Sequence, residues 1–391
     1  MFLTPKTELV NRIAQLQQHL TQNGLDGALL HGVTNVYYYS GTAQQSHLWV
    51  PAAGAPVLLV RRVLERARRE SALDRVEPIG SLRQLPEYIG TGRRIGMELD
   101  ILPVSLFAGY QRALPGVEIV DIGPATRLAR AVKSDVEIAQ VRGAARVADL
   151  TFQAIKAALR EGMTELELSA IAEAAERRHG FQGMVRWRAA TGFECPWFHV
   201  LAGESGAVAS FADTTFGGEG LTPAAPYGAG YRQIQRGMPV VVDYPTAYNG
   251  YIHDGTRTLA IGSLPDDLVR AYNVSVEIAH MFQTEARPGV TGEELWQKSV
   301  SLAEQHGLLD HFQGYGPSKA RFVGHGVGLE LDELPILAPR QQHPLEPGNV
   351  IAIEPKFFFP GRGAVGIENT YLITPQGAER LTLTGEELVL V

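Results

Sequence analysis

Two aspartates interrupt an apolar run of the chain, at positions where a buried strand would favour valine or isoleucine. The run reads VVVDYPTAYNGYIHDGTRTLAIG and places Asp243 and Asp254 on either side of an Asn-Gly pair. Such a pair between alternating apolar residues is a strong indicator of a two-residue hairpin turn. The turn sets Asp243 opposite Thr256 and makes Asp254 its diagonal neighbour on the same face. We therefore expect both carboxylates to point to one side of the sheet.

A second pair of acids occurs near the end of the chain, in GNVIAIEPKFFFPGRGAVGIENTYLIT. We place a hairpin turn at its Gly361-Arg362-Gly363 segment, which makes Glu354 and Glu368 diagonal neighbours on one face. In both runs a glycine precedes the first acid by six residues and a threonine follows the second acid by two. This matched spacing predicts an internal duplication of two hairpins, each presenting a pair of acids.

Four buried carboxylates would repel one another unless cations neutralised them. A fifth candidate is His325 in RFVGHGVGLELDELP, where flanking glycines allow the backbone to be approached closely. A lone histidine in a strand is more often a packed core residue, but beside four strand-borne acids a metal ligand is the better interpretation. Such ligands suit divalent ions, with Mn²⁺ first and Co²⁺, Fe²⁺ and Zn²⁺ as alternatives. Two ions sharing a water would form a hydrolytic centre.

The elements that must position these residues fall into two groups. The chain has 391 residues, of which 45% are hydrophobic and 20% charged, so it is long enough for two folded domains. In its first third, Thr4 and Pro5 are interpreted as the N-cap and first residue of an amphipathic helix. The short apolar runs DGALLHG, APVLLV, RRIGMEL and VEIVDIG are typical of strands. This part predicts a small α/β domain.

A long helix opens the second domain. Ser134 and Glu137 have the spacing of a capping box, and apolar residues follow at helical spacing. We place the boundary just before this helix, which gives domains of residues 1–131 and 132–391. A second helix is expected at about 164–179. Residues 211–230 have the composition of a long irregular loop, a class that is usually functional or mobile.

Charge and composition exclude several classes of function. The net charge is −7, and the arginine-rich segments RRVLERARR and RLARAVK are explained as solvated helix faces, so no basic surface favours nucleic acid. The single cysteine, Cys195, fits a reducing compartment. The first residues lack the apolar core of a signal peptide, and no run has the length of a membrane span. We expect a cytoplasmic protein without a nucleic-acid or membrane partner.

With these residues identified, the sequence resembles the creatinase and methionine aminopeptidase superfamily, and most closely its branch of Xaa-Pro aminopeptidases and dipeptidases (prolidases). NVYYYSG resembles a tyrosine-rich strand motif of the extra N-terminal domain of that branch, and AVKSDVEIAQVRGAARVAD resembles the helix that opens the catalytic domain. DGTRTLAIG, GHGVGLELDELP, LEPGNVIAIEP and GIENTYLIT are similar to four metal-site motifs. The resemblance implies an α+β fold, in which a C-terminal pita-bread catalytic domain follows a smaller N-terminal α/β creatinase-type domain.

The resemblance also implies a role for each candidate ligand. Asp243 would chelate one ion, Asp254 and Glu368 would bridge two ions, and His325 and Glu354 would complete the second. A metal-bridging hydroxide would attack an amide carbonyl of a small peptide, with Glu354 moving the proton to the leaving nitrogen. The implied protein is a metallopeptidase, with a homodimer as its assembly.

Four positions around the scissile bond depart from the family pattern. Ser210 stands in place of a substrate-facing histidine and is followed by an apparent insertion, and Asp332 stands in place of another histidine. Gly366 replaces an arginine, and Pro245 replaces a glycine. Because such substrate-facing donors are commonly worth about 3–4 kcal/mol each, their absence implies replacement donors, a different substrate or weak peptidase activity.

Replacement donors can be sought among the histidines and arginines near the approach to the site. His199 in CPWFHVLAGESG is a candidate catalytic residue, with a packed core histidine as the alternative. Arg186 and Arg188 could grip a substrate carboxylate, although an exposed strand explains them nearly as well. His253 adjoins Asp254, so the pleat should turn it to the opposite face and leave it structural.

Three functions remain open. The first is the two-metal peptidase, in which His47 and Trp49 could cap the pocket of a partner subunit, although ordinary packing would give the same sequence. The second is a metal-dependent amidohydrolase that acts on a cyclic amide or an amidine-like compound. The third, a catalytically silent binding module, is disfavoured because all five candidate ligands are present.

Overall fold

The computed structural model describes residues 2–188, 198–210 and 212–391; Cys195 lies outside them. The described residues divide into two compact units. One contains the residues up to Arg130 together with Arg188, and the other contains those from Ala131 to Trp187 and from Phe198 onwards. The boundary that we propose between residues 131 and 132 lies next to this division.

The N-terminal unit is built on a mixed six-stranded sheet with the strand order β4-β3-β2-β1-β5-β6. Strand β1 pairs parallel with β5 and antiparallel with β2, so the sheet combines both kinds of ladder. All four predicted strand runs are strands, which confirms the α/β prediction. The elements are α1 (Lys6–Gln22), β1 (Gly27–Leu30), α2 (Val33–Ser40), β2 (Ser46–Pro51), β3 (Val57–Val60), α3 (Leu64–Glu70), β4 (Val76–Pro78), α4 (Leu85–Ile89), β5 (Arg94–Met97), α5 (Val104–Ala113), β6 (Glu118–Asp121) and α6 (Gly123–Ala129).

The predicted start of the first helix is wrong by one residue. Helix α1 begins at Lys6, and Pro5 rather than Thr4 occupies the N-cap position. The carbonyl of Pro5 accepts hydrogen bonds from the backbone N–H groups of Glu8 and Leu9, so no side-chain cap is needed. The apolar positions of the helix, including Leu9 and Leu16, are buried as predicted.

The tyrosine-rich motif NVYYYSG forms a helix, which corrects the predicted strand. It occupies α2, and Gly41 ends that helix with a φ of 79°. Tyr38 and Tyr39 are both buried and meet edge to face. A short aromatic run has the propensity of a strand, but periodicity alone does not separate it from a helix buried on most sides. The left-handed residue, which glycine adopts at little cost, fixes the helix end.

The second unit has two larger sheets, with strand orders β19-β11-β8-β7 and β13-β12-β14-β17-β18, and two short ladders, β10-β9 and β15-β16. No helix among the described residues of the chain is long and apolar enough to cross a membrane. The elements are α7 (Asp135–Ala158), α8 (Glu165–Arg178), β7 (His199–Ala202), β8 (Val240–Asp243), β9 (Thr246–Tyr248), β10 (Tyr251–His253), β11 (Thr256–Ala260), α9 (Asp266–Glu285), α10 (Gly292–Gln305), β12 (Gly324–Gly326), β13 (Glu333–Leu337), β14 (Val350–Ile353), β15 (Lys356–Phe359), β16 (Gly363–Gly366), β17 (Asn369–Thr374), β18 (Gly377–Arg380) and β19 (Val389–Leu390).

Helices cover each of the larger sheets. Residues of α7 and α8, such as Phe152 and Leu168, share a core with Val242 of β8. Residues of α9 and α10 share a second core with β14 and β17. The predicted capping box of Ser134 and Glu137 is present at the start of α7. The strands from which the acid-bearing hairpins extend are therefore packed against helices.

The predicted duplication is confirmed as two bent hairpins. In the first, Tyr248 pairs with Tyr251 across the Asn-Gly turn, and Asp243 pairs with Thr256 as predicted. The predicted register of the second hairpin is wrong by one residue, because Phe359 pairs with Gly363 and the loop is formed by residues 360–362. The register shared by the two flanking ladders therefore places Glu354 opposite Glu368 rather than diagonal to it.

Candidate metal centre

Each acid lies where its hairpin changes from one ladder to another. Asp243 ends β8 and Asp254 follows β10, while Glu354 follows β14 and Glu368 precedes β17. Prolines at positions 245 and 355 come soon after the first acid of each pair. Since proline cannot donate a hydrogen bond to a ladder, it favours a break at this point. The breaks in both hairpins turn the four carboxylates towards one cavity.

The cavity contains all five predicted ligands and a further set of side chains. His325 reaches it from the middle of β12, whose flanking glycines leave the imidazole uncrowded on its own strand. The cavity is lined by the predicted residues Asp243, Asp254, His325, Glu354, Glu368 and His199, and also by Trp187, Thr214, Thr215, Phe216, Pro245, Phe322, Leu331 and Asp332.

Three of these side chains enclose one point that could hold a cation. Ligand atoms of Asp254, His325 and Glu368 all lie within 4.8 Å of one another. The Nε2 atom of His325 is 3.8 Å from Oδ2 of Asp254 and 3.9 Å from Oε1 of Glu368. Among the described residues, Oε1 of Glu368 is buried and has no hydrogen-bond partner. A buried oxygen without a partner destabilises the fold unless a bound ligand interacts with it.

Sequence reasoning missed Lys356, whose ammonium lies inside the acid cluster. Its Nζ is 2.7 Å from Oε2 of Glu354, 3.3 Å from Oδ2 of Asp243 and 3.3 Å from Oε2 of Glu368. The residue is 1% exposed. The signal was present in EPKFFF, because a residue two positions after a strand-borne acid projects to the same face.

The long loop supplies two more side chains that were not predicted. Thr215 donates a 2.8 Å hydrogen bond to Oε2 of Glu354 and accepts one of 3.1 Å from Lys356. The ring of Phe216 lies 4.6 Å from the same ammonium. Residues 212–230 contain no helix or strand, as predicted, and they form part of the cavity wall.

Charge is unevenly compensated across the cluster. Burial raises the pKa of Asp254 well above its usual range, and the carboxylates of Glu368 and Asp243 raise it further. Burial also raises the pKa of Glu368 to about 7, against the opposing effect of the Lys356 ammonium. Burial alone would raise the pKa of Glu354, but Lys356 and the neighbouring imidazole lower it to about 2. The ionised forms of Asp254 and Glu368 are therefore less well compensated by neighbouring cations than that of Glu354.

Asp332 lies beside the imidazole of His325, whose Nδ1 is also 3.2 Å from the carbonyl oxygen of Gly326. Its Oδ1 lies 3.5 Å from Nδ1 of His325, while Nε2 faces the acids. Burial would lower the pKa of His325, but the carboxylates of Asp332 and Glu354 raise it well above its usual value. A carboxylate behind a histidine is a common support for metal ligation. The aspartate that departs from the family pattern thus has a local role.

His199 faces the same cavity from β7. It pairs with Asp243 in the sheet, and its Nε2 is buried without a hydrogen-bond partner among the described residues. Burial lowers the pKa of His199, with Asp243 opposing that effect, so the imidazole is neutral near pH 7. Ser210 is not among the residues that line the cavity, and its hydroxyl lies 2.7 Å from the hydroxyl of Thr214.

The other predicted candidates are not among the residues that line the cavity. His253 is buried on the opposite face as predicted, with its Nε2 2.8 Å from Oγ1 of Thr382. Arg188 belongs to the N-terminal unit, where its guanidinium binds Asp100 at 2.6 and 2.9 Å. Arg186 does not line the cavity, and its carbonyl accepts a hydrogen bond from the backbone of Leu331.

The capping role suggested for His47 and Trp49 does not agree with their burial. Both residues are on β2, where Trp49 joins the core of the N-terminal unit and His47 lies 2.8 Å from the hydroxyl of Tyr110. Their exposed fractions of 4% and 6% leave no surface for a partner subunit to use.

The donor set fits one divalent ion better than two. Asp254, His325 and Glu368 provide carboxylate and imidazole ligand atoms that lie within 4.8 Å of one another. On the side of Asp243 and Glu354, the ammonium of Lys356 already contacts the carboxylates. The ligand roles themselves stay a prediction.

Two family models and several known proteins match the sequence over most of its length. The model of metallopeptidase family M24 matches residues 139–375, and that of the creatinase/prolidase N-terminal domain matches residues 12–132. An Xaa-Pro dipeptidase of Pyrococcus furiosus is 29% identical, over 97% of this chain and 99% of that protein. The uncharacterized peptidase YqhT of Bacillus subtilis is 28% identical, over 97% of this chain and all (100%) of that protein.

Solved structures agree with this fold. The Xaa-Pro dipeptidase from Bacillus anthracis superposes with a TM-score of 0.83 at 26% identity, over 98% of this chain and 100% of that chain. The prolidase from Pyrococcus horikoshii superposes with a TM-score of 0.82 at 26% identity, over 97% and 100% of the two chains. The chain is therefore a hydrolase that belongs to metallopeptidase family M24, with a creatinase-type N-terminal domain before its pita-bread catalytic domain.

Proposed function

We propose that the protein is a metal-dependent peptidase of the Xaa-Pro type, which cleaves an amide bond of a small peptide. The observation that carries this proposal is the buried trio of Asp254, His325 and Glu368, with one glutamate oxygen left without a partner among the described residues. A divalent ion bound there would polarise a carbonyl group and lower the pKa of water. Relatives named as Xaa-Pro dipeptidases support the substrate class.

Side chains of the cavity support specific roles in such a reaction. His199 has an unpartnered Nε2 towards the cavity, so we infer that it contacts the substrate carbonyl or the leaving nitrogen. Glu354 is held ionised by Lys356, and its Oε1 lies 3.4 Å from Nε2 of His325. We infer that Glu354 accepts a proton from the attacking water and passes it to the leaving nitrogen.

The family resemblance implies a mechanism with two divalent ions and a hydroxide between them, and Mn²⁺ is the ion that we expect. All five predicted ligands border one cavity, which supports a metal centre in this place. However, a second ion next to Asp243 and Glu354 would require the ammonium of Lys356 to leave both carboxylates. The bridging-hydroxide form therefore depends on a movement of this lysine.

One observation favours a second candidate function, hydrolysis of a cyclic amide or amidine-like compound. Ser210 replaces a substrate-facing histidine and bonds within its own loop to Thr214. The wall of the cavity includes the aromatic side chains of Phe216 and Trp187, together with the hydroxyl groups of Thr214 and Thr215. A compact ring compound that packs against the two aromatic side chains would suit such a wall.

The test is a substrate panel with controlled metal loading. The chain would be stripped with a chelator and reloaded separately with Mn²⁺, Co²⁺, Zn²⁺ or Fe²⁺. Each form would be assayed on dipeptides and tripeptides with and without proline in second position, and on cyclic amides and amidines. Release of proline or of an N-terminal residue, lost in Glu368→Gln, supports the peptidase. Turnover of cyclic amides or amidines alone supports the second candidate. Absence of turnover with every metal and substrate would contradict both.

We also infer a homodimer and a cytoplasmic location. The dimer is supported only by the family resemblance, and sedimentation that gives a monomer at all concentrations would exclude it. The location is supported by the low cysteine content, and fractionation of the source cells would test it.

A further inference from the structure

The strand position of Lys356 directs its side chain into the acid cluster. Lys356 opens β15 and pairs with Gly366 on the facing strand β16. A Cβ atom at position 366 would lie 2.7 Å from Cγ of Lys356 and 2.8 Å from the carbonyl oxygen of Pro355. Only glycine leaves room for the lysine stem here. The position that carries an arginine in the family pattern is thus bare, and a cation comes instead from the opposite strand.

The ammonium is enclosed on several sides by groups suited to hold a cation. Three carboxylates approach it, from Asp243, Glu354 and Glu368, at 2.7 to 3.3 Å. On another side the long loop supplies the hydroxyl of Thr215 and the ring face of Phe216. A buried lysine is costly unless it is paired, and these contacts provide the pairing. The lysine therefore has a complete binding site within the fold.

The ammonium and a divalent ion would compete for the same space. Zn²⁺, for example, lies about 2.0–2.2 Å from carboxylate oxygens, and Nζ of Lys356 already contacts oxygens of Asp243 and Glu354 at 3.3 and 2.7 Å. Two cations next to these oxygens would also repel each other. By contrast, Oε1 of Glu368 points away from the lysine, towards His325. One half of the cluster is filled and the other is open.

We propose that Lys356 takes the place of a second metal ion, so that the centre binds one divalent cation through Asp254, His325 and Glu368 beside a fixed ammonium. This inference rests on the proposed function only in taking the cluster as a metal centre. A single ion with the lysine supplies three positive charges to the four acids, which is enough to relieve most of their repulsion. The arrangement differs from the two-ion centre that the family resemblance implies.

The stoichiometry of bound metal tests the proposal without an activity assay. The full-length chain would be stripped, loaded with excess Mn²⁺, desalted and analysed for manganese per chain, together with its electron paramagnetic resonance spectrum. We expect one ion per chain and the signal of an isolated Mn²⁺ in the wild type. In Lys356→Ala we expect a second ion and the spectrum of a spin-coupled pair, because the ammonium no longer fills its half.

A matched control uses another buried lysine of the same unit. Lys133 pairs with Glu333 at 3.0 Å, is equally enclosed and lies outside the cavity. Lys133→Ala should leave one ion per chain. If Lys356→Ala does not fold, as judged by circular dichroism, Lys356→Met takes its place, because it keeps most of the volume of the side chain and removes its charge. Lys356→Met should also bind more than one Mn²⁺ per chain.

The outcomes separate this inference from the proposed function. Two spin-coupled ions in the wild type, or one ion in a folded Lys356→Ala chain, would overturn the inference and leave the peptidase proposal standing. One ion in the wild type and two in the variant, without hydrolysis of any substrate, would support the inference while the proposed function failed. No bound ion in either protein would overturn both.

Discussion

At the scale of single residues, the departures from the family pattern have physical explanations in their surroundings. Asp332 lies beside His325, with its Oδ1 3.5 Å from Nδ1 of the imidazole. Gly366 makes space for Lys356, and Ser210 ties the start of the long loop to Thr214. His199 is the residue with a free ring nitrogen towards the cavity, among those described there.

We predict that His199→Gln lowers kcat/KM by about 100-fold, since loss of one donor to a developing charge commonly costs this much. The amount of bound Mn²⁺ should stay unchanged, because His199 is not among the candidate ligands. Steady-state kinetics and metal analysis on the same preparation measure both quantities. The exposed His306 offers a control, and His306→Gln should retain full activity. Equal activity in both variants would contradict the role of His199.

At the scale of elements, the two bent hairpins determine where the charged side chains meet. Their outer strands belong to the larger sheets and their inner strands to separate two-stranded ladders. The acids lie where an outer strand ends and an inner strand begins. Close contacts between the two inner strands of a hairpin determine how these strands pack. Substitutions at such contacts should therefore lower the free energy of unfolding.

Gly366→Ala should destabilise the chain by about 1–3 kcal/mol, the usual cost of overpacking a filled interior. The added methyl group would lie against the stem of Lys356 and against a backbone carbonyl that cannot move freely. Chemical denaturation measures the change in the free energy of unfolding. The control is Gly109→Ala in α5, where an added Cβ meets only one methyl carbon at 3.6 Å and should be neutral or slightly stabilising. Equal effects of the two changes would contradict the packing argument.

The buried carboxyl group of Glu176 on α8 should make the stability of the chain depend on pH. Burial raises the pKa of Glu176 to about 8, although Thr246 donates a 2.6 Å hydrogen bond to it. Because the folded pKa lies above the ordinary value of 4.5, protonated Glu176 stabilises the fold below pH 4.5, and this stability is lost as the pH rises to about 8.

Glu176→Gln mimics the protonated form and should therefore be more stable than the wild type at pH 8, by at least about 1 kcal/mol, with the difference vanishing near pH 4.5. Denaturation curves of both proteins across this range provide the measurement, and the exposed Glu304→Gln provides the control. A difference that did not change with pH would show that burial of the charge is not its cause.

At the scale of the whole molecule, the candidate ligands connect distant parts of the sequence within the second unit. Asp254 comes from the first hairpin, His325 from β12 and Glu368 from the second hairpin. Cores under α7 and α8 and under α9 and α10 support these strands separately. A cation bound by all three residues would thus couple the two halves of the unit.

Excess Mn²⁺ should raise the melting temperature of the full chain, since a ligand at 100 times its Kd stabilises the folded state by about 2.7 kcal/mol. Differential scanning calorimetry with Mn²⁺ and with a chelator would measure the shift. Glu368→Gln, which lacks one ligand, should show a much smaller shift at the same Mn²⁺ concentration. An equal shift in both proteins would mean that Mn²⁺ binds elsewhere.

The sequence by itself determined the features that depend on local chemistry. The Asn-Gly turn, the pairing of Asp243 with Thr256, the capping box at Ser134 and the choice of four acids and one histidine that line the cavity all follow from patterns within short segments. These features could be predicted because turn geometry and strand periodicity depend on neighbours along the chain.

Only the tertiary structure decided what fills the space between the acids. The helical state of the tyrosine-rich segment, the one-residue shift of the second hairpin and the approach of Thr215 to Glu354 depend on packing against distant elements. Lys356 was visible in the sequence, but its contact with Asp243 joins residues 113 positions apart. The physical reason is that burial and charge compensation are set by which strands converge, and spacing along one strand does not specify its partners.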